Sequence, residues 1–92
     1  MDIKSAKLFA AEMDKNIPCL DLHGFYPDEA VNKLDIFLYE NYSQKCSAVR
    51  VVYGGGTGRL REVILAYLSE HDLAETVKDE GGSAVVVLSI NP

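Results

Sequence analysis

Residues 49–68 read VRVVYGGGTGRLREVILAYL: an apolar, β-branched run, four glycines within five positions, then an amphipathic helical pattern. A strand that ends in glycines and runs straight into a helix gathers backbone N–H groups and the positive end of the helix dipole at one point. That arrangement binds anions, phosphate most often. The site of function is therefore expected at this bend, and the strand–bend–helix unit anchors the rest of the order.

Upstream, Ile3, Ala6, Ala10, Met13 and Ile17 recur at helical spacing, which predicts a helix over 3–17 ended by Pro18. CLDLHG (19–24) is a short strand. Leu20 and Leu22 point to one face and Asp21 and His23 to the other, because side chains alternate. A second helix starts near Pro27, with Asp28 and Glu29 in its first turn and a stripe of Ala30, Leu34, Phe37, Leu38 and Tyr42. Residues 43–47 connect it to the strand AVRVVY (48–53), with Lys45 near the helix end, where a cation is favoured. Beyond the glycines, Thr57 is the expected N-cap of a third helix with a stripe of Leu60, Ile64, Tyr67, Leu68 and His71. His71 is expected to satisfy carbonyls at that helix end. A strand over 74–79, a hairpin turn at EGGS (80–83) and the strand AVVVLSI complete the chain.

The order is a helix followed by β-α-β-α-β-β. This predicts an α/β two-layer sandwich: a mixed four-stranded sheet, mainly parallel in direction, with its crossover helices on one face. Leu20 and Leu22 would face those helices. Asp21 and His23 would lie on the open side, near the C-terminal edge of the parallel strands, where ligands of open α/β sheets bind. The domain expected is 18–92, with 1–17 as a helical extension that packs back or engages a partner protein.

Ninety-two residues, 48% hydrophobic and 25% charged, describe one ordinary globular domain. No run is long and apolar enough to span a bilayer, and no secretory segment is present, so a cytoplasmic protein with no membrane association is expected. Cys19 and Cys46 lack CxxC spacing and read as reduced, mostly buried thiols. The net charge of −5 opposes general nucleic-acid binding, which usually needs a basic footprint. Arg50, Arg59 and Arg61, however, cluster around the glycine bend.

Two segments can carry chemistry. The glycine run fails the P-loop pattern, because counted from Gly54 the second glycine falls on Arg59 and the lysine on Leu60, and it fails the dinucleotide fingerprint, whose third glycine also falls on Arg59. One glycine suffices for a tight turn; four suggest close backbone approach by a ligand. Asp21 and His23, two apart on a strand, place their Cβ atoms roughly 6 to 7 Å apart on one face, which suits a shared water, metal or phosphate. A His beside a carboxylate is a minimal acid/base unit near neutral pH; a surface Asp beside a His bonded to a loop remains the alternative. No HxH, HExxH or CxxC spacing marks a metal site.

With both segments in hand, the chain resembles the Smr (small MutS-related) domain family over about residues 18–90. The family's LDLHG motif matches Leu20, Asp21, Leu22, His23 and Gly24. Its HGxGxG motif matches Tyr53, Gly54, Gly55, Gly56, Thr57 and Gly58. The resemblance implies a fold like the C-terminal domain of bacterial translation initiation factor three, and activity as a nuclease that nicks DNA or cuts RNA. It implies catalytic roles for Asp21 and His23 and a phosphate site at residues 54–58, with Arg59 and Arg50 neutralising the anion. Tyr53 stands where many members have His. A phenol with a pKa near ~10 is no acid/base switch at neutral pH, but it can donate to phosphate or stack on a base.

These readings predict a hydrolase, a nicking endonuclease acting on the phosphodiester backbone of DNA or RNA, branched or single-stranded; they name no definite cofactor and leave a divalent cation (Mg or Mn) open. The alternatives are a non-catalytic nucleic-acid-binding module and a protein-interaction domain.

Overall fold

The computed structural model describes residues 3–14 and 16–89. The order is α1 (Ile3–Met13), β1 (Cys19–Asp21), α2 (Pro27–Ser43), β2 (Ala48–Val52), α3 (Arg59–Ser69), β3 (Ala74–Asp79) and β4 (Ser83–Leu88). The strands form one mixed sheet in the order β1-β2-β4-β3. β1 and β2 pair parallel, with Leu20 opposite Val51, and β4 is antiparallel to both β2 and β3. β1, β2 and β3 therefore share one direction, as the crossover helices require, and the C-terminal strand is inserted between β2 and β3.

Alternation along the strands sorts the chain into two faces. Val49 and Val51 of β2 and Ala84, Val86 and Leu88 of β4 point to one side. There they are buried with Leu22, with Ala30, Leu34 and Leu38 of α2, and with Ile64 and Leu68 of α3. Ala48, Val85 and Val87 point to the other side and pack beneath Ala11, Leu8 and Ile17. Within α2, Pro27 occupies the first turn with Asp28 and Glu29. The helix closes on Lys45, whose φ of 62° lets its N–H reach Tyr42 O at 2.9 Å.

Several expectations change in the structure. α1 stops at Met13, because the Asp14 carboxylate accepts the Asn16 N–H at 2.8 Å and offers the backbone a turn in place of another helical bond; Lys15 lies outside the described residues. The spacing-based stripe of α1 faces outward, with Ile3 75% and Met13 67% exposed and Ala6 and Ala10 exposed too. The packed face is Leu8 and Ala11, flanked by the ion pairs Lys7–Glu75 (3.4 Å) and Lys78–Glu12 (2.9 Å). A helix apolar on both sides leaves periodicity unable to choose; the ion pairs to β3 go with the observed choice.

β1 ends at Asp21 because Leu22 begins a turn. Its carbonyl accepts the Phe25 N–H at 3.2 Å, with Gly24 at φ +84°. The last strand ends at Leu88, and Ile90 lies outside the described residues. Thr57 is not the N-cap of α3: Gly58 is, in a left-handed conformation, while the Thr57 Oγ1 accepts the Arg59 N–H at 3.3 Å. His71 satisfies no helix-end carbonyl with its ring. Its Nδ1 accepts the Leu73 N–H (3.1 Å) and its Nε2 lies 3.0 Å from Asp35, beside the Tyr67 hydroxyl. Both cysteines are free, but Cys19 is exposed and Cys46 half-buried. Among the described residues no helix is long and apolar enough to cross a membrane.

Candidate functional site

Because β1 and β2 run parallel, the loops after them (22–26 and 53–58) emerge at the same end of the sheet. The Leu22–Phe25 turn places His23 at its corner. The bend after β2 is held by the β3–β4 hairpin, whose Gly82 carbonyl accepts the N–H groups of both Tyr53 (3.0 Å) and Gly54 (2.9 Å). The two loops nearly touch: a β-carbon on Gly54 would lie 3.3 Å from His23 Cβ. Together they wall an open groove of about 530 Å³, within the size range of small-ligand sites. His23, Phe25, Tyr26, residues 53–58, Arg59 and Leu60 line it.

The glycines divide by cause. Gly54 (φ +75°), Gly56 (+55°) and Gly58 (+83°) hold left-handed conformations that side-chain-bearing residues adopt at a cost. Gly55 has no positive φ, and a β-carbon there would meet nothing within 4 Å. The chain itself therefore does not require a glycine at 55. The amides divide as well. Those of Tyr53, Gly54 and Gly58 are committed to carbonyls, whereas those of Gly55, Gly56 and Thr57 have no acceptor among the described residues.

His23 and Asp21 form a pair at the groove edge. The His23 Nδ1 lies 2.5 Å from the Asp21 Oδ1, which also accepts the His23 backbone N–H at 3.1 Å. These two hydrogen bonds hold Asp21 below the ordinary carboxylate range, against a smaller opposing effect of burial. With Nδ1 occupied, Nε2 is the ring nitrogen left for chemistry.

The other expected residues divide between the groove and its surroundings. Tyr53 borders the groove, yet it is only 3% exposed. Its hydroxyl bonds the Asp79 carboxylate and lies 2.9 Å from the Ser83 carbonyl, and burial followed by the Asp79 contact pushes the phenol well up. A ring so enclosed is not a base-stacking surface. Arg61 belongs to the same cluster, its Nε 2.8 Å from Asp79 Oδ2; Arg61 first, then Tyr53, hold Asp79 far below its usual range. Arg50 is on the α1 side of the sheet, outside the groove lining, and pairs with Glu80 at 3.5 Å. Of the three arginines read as a cluster, Arg59 alone lines the groove, and it has no carboxylate partner among the described residues. Phe25 and Tyr26 also line the groove, and the sequence signal for them is two aromatics directly after LDLHG. Among the described residues no group of three or more His, Cys, Asp or Glu side chains is placed to hold a metal ion.

The Smr domain model matches residues 20–91, both loops included. The chain belongs to the Smr domain family. Relatives include the "Endonuclease MutS2" proteins of Thermomicrobium roseum (37% identical over 77% of this chain) and Caldicellulosiruptor saccharolyticus (30% over 95%). This chain spans about a tenth of their length, 10% and 11% respectively. Among solved structures, the Smr domain of Thermus thermophilus MutS2 superposes with a TM-score of 0.76 at 30% identity, covering 79% of this chain and 99% of that one. The SMR domain of NEDD4-binding protein 2 superposes at 0.67 and 25% identity, covering 86% and 93%. The Smr match begins at residue 20, after α1.

Proposed function

We propose that this Smr domain, residues 18–92, grips a phosphodiester of DNA or RNA at the bend of residues 54–58 and cleaves it with His23 as proton-transfer group. The observation that carries this reading is that His23 and the unpaired amides of Gly55, Gly56 and Thr57 line one groove. The amides and Arg59 would stabilise the charge that develops on the phosphoryl oxygens. Asp21 orients the imidazole through Nδ1. The Nε2 then takes the proton of the attacking oxygen or, when protonated, delivers one to the leaving oxygen. Both relatives cited by name as endonucleases support the reaction class.

The decisive experiment is a nicking assay on supercoiled DNA and on single-stranded RNA with wild type, His23→Ala and Asp21→Ala. Cleavage by wild type that falls by about two or more orders of magnitude in His23→Ala supports the assignment. Cleavage unchanged in both variants overturns it. A second reading, binding without cleavage, is favoured by one observation: among the described residues His23 is the one histidine lining the groove, and the Tyr53 hydroxyl is committed to Asp79. Retained, salt-sensitive binding with no product from wild type selects that reading.

A further inference from the structure

Tyr26 is 76% exposed, the most exposed of the large apolar and aromatic side chains among the described residues, and it borders the groove. Its backbone is fixed on both sides. The N–H donates to Glu29 Oε1 at 3.4 Å, the carbonyl accepts the Ala30 N–H at 2.9 Å, and Pro27 holds it extended at φ −70°, ψ 151°. The ring thus stands on an anchored position at the N-terminus of a 17-residue helix. Beside it Phe25 is partly exposed, with Lys33 Nζ 4.9 Å from its ring centroid. Both aromatics line the same groove as His23, Arg59 and the free amides.

We infer that Tyr26, supported by Phe25, stacks on an unpaired nucleobase of the strand whose phosphate is held at residues 55–57. This rests on the phosphate reading above and adds the substrate class: a strand, DNA or RNA, unpaired at the nucleotide next to the bound phosphate. A groove that offers the Arg59 guanidinium and free amides from the loop after β2, and two aromatic side chains from the loop after β1, matches a nucleotide's two halves, the anionic phosphate and the planar base. Bases inside a duplex stack on their neighbours and present only edges, so a protruding ring can be covered only by a base free of its pair. Tyr53, the aromatic that the sequence offered for this role, is buried, and Tyr26 takes its place. Stacking alone is indifferent to the sugar, so DNA and RNA share the chemistry.

The test is fluorescence-anisotropy titration of the full chain with short single-stranded DNA and RNA, the paired duplex of each sequence, and a single strand with abasic positions. All are measured at one salt concentration. Wild type should bind the single strands more tightly than the duplexes. Tyr26→Ala should weaken single-strand binding roughly 5- to 100-fold, the range for losing one aromatic–base stack. Tyr26→Phe and Tyr26→Trp, which keep a ring face, should bind about as wild type, and the abasic strand should lose what Tyr26→Ala loses. A preference for DNA or for RNA among the single strands would identify the source of the base. The inference is overturned on its own if single strands bind equally well to wild type and to a folded Tyr26→Ala, or if the abasic strand binds undiminished. Absence of binding to every nucleic acid overturns the phosphate reading, and this inference with it.

Discussion

The β-carbon of His23 and the backbone of Gly54 are near neighbours, so close that a β-carbon on Gly54 would stand 3.3 Å from His23 Cβ. This ties the turn after β1 to the bend after β2, and it gives Gly54 a structural role. Gly54→Ala forces a side chain into a left-handed conformation, at a cost of ~1–2 kcal/mol, and presses on His23. The melting temperature should fall by at least ~4 °C, and the ring resonances of His23 should move. An unchanged melting curve with unmoved resonances would refute the coupling.

Gly55 is the contrasting case. Nothing within the chain needs a glycine there, so Gly55→Ala should leave stability within about 0.5 kcal/mol of wild type. If a phosphate lies against its N–H, the added methyl displaces a charge-assisted hydrogen bond, and nucleic-acid affinity should drop roughly ten- to a hundredfold. Equal affinity in a variant of equal stability would remove the phosphate from this loop.

Arg59 and Arg61 differ in the same way. Arg59 lines the groove without a carboxylate partner among the described residues, whereas Arg61 is tied to Asp79 and, through it, to Tyr53. Arg59→Gln should reduce the slope of log affinity against log salt by about one while leaving the melting temperature alone. Arg61→Gln should do the reverse, lowering thermal stability with the salt slope unchanged. Titrations at several salt concentrations, paired with melting curves, separate the two. A salt slope that responds to Arg61 and not to Arg59 would mean the wrong guanidinium was assigned.

The contrast between these arginines also shows what the sequence could and could not tell. Period-two alternation placed Leu20 and Leu22 toward the helices, and Pro27 marked the start of α2, because those signals are local and physically forced. The motifs LDLHG and YGGGTG were legible as site-forming, and the structure does bring them together. The order β1-β2-β4-β3 was not legible, since a hairpin strand can pair on either side of its partner. The buried faces of α1 were not legible either, because Leu8 and Ala11 compete with Ile3, Ala6, Ala10 and Met13 for the same sheet. Arg50 and Arg61 looked available for an anion because Glu80 and Asp79, their partners, are distant in sequence and reach them only across the folded sheet. Tyr53 looked like a ligand-facing aromatic for the same reason: its partner Asp79 lies 26 residues away.

The cluster that joins the middle of α2 to the C-terminal end of α3 offers a test that does not involve the groove. The Tyr67 hydroxyl donates to Asp35 Oδ1, which His71 Nε2 also approaches at 3.0 Å, while the Leu73 N–H donates to His71 Nδ1. Burial, and then the Asp35 hydrogen bond, push the Tyr67 phenol up to about 12. A phenol in the unfolded chain ionises near ~10, so the folded state favours the neutral form. The stability this supplies is complete below pH ~10 and is lost as the pH rises through about 12. Tyr67→Phe removes the titration together with one hydrogen bond. It should therefore be less stable than wild type at neutral pH by about 1 kcal/mol, and that deficit should narrow between pH ~10 and about 12. Tyr53, whose phenol is also raised, is common to both proteins and cancels in the difference. Urea unfolding of the two at stepped alkaline pH measures this directly, and a deficit that stays constant across the window would show that Asp35 does not hold the Tyr67 proton.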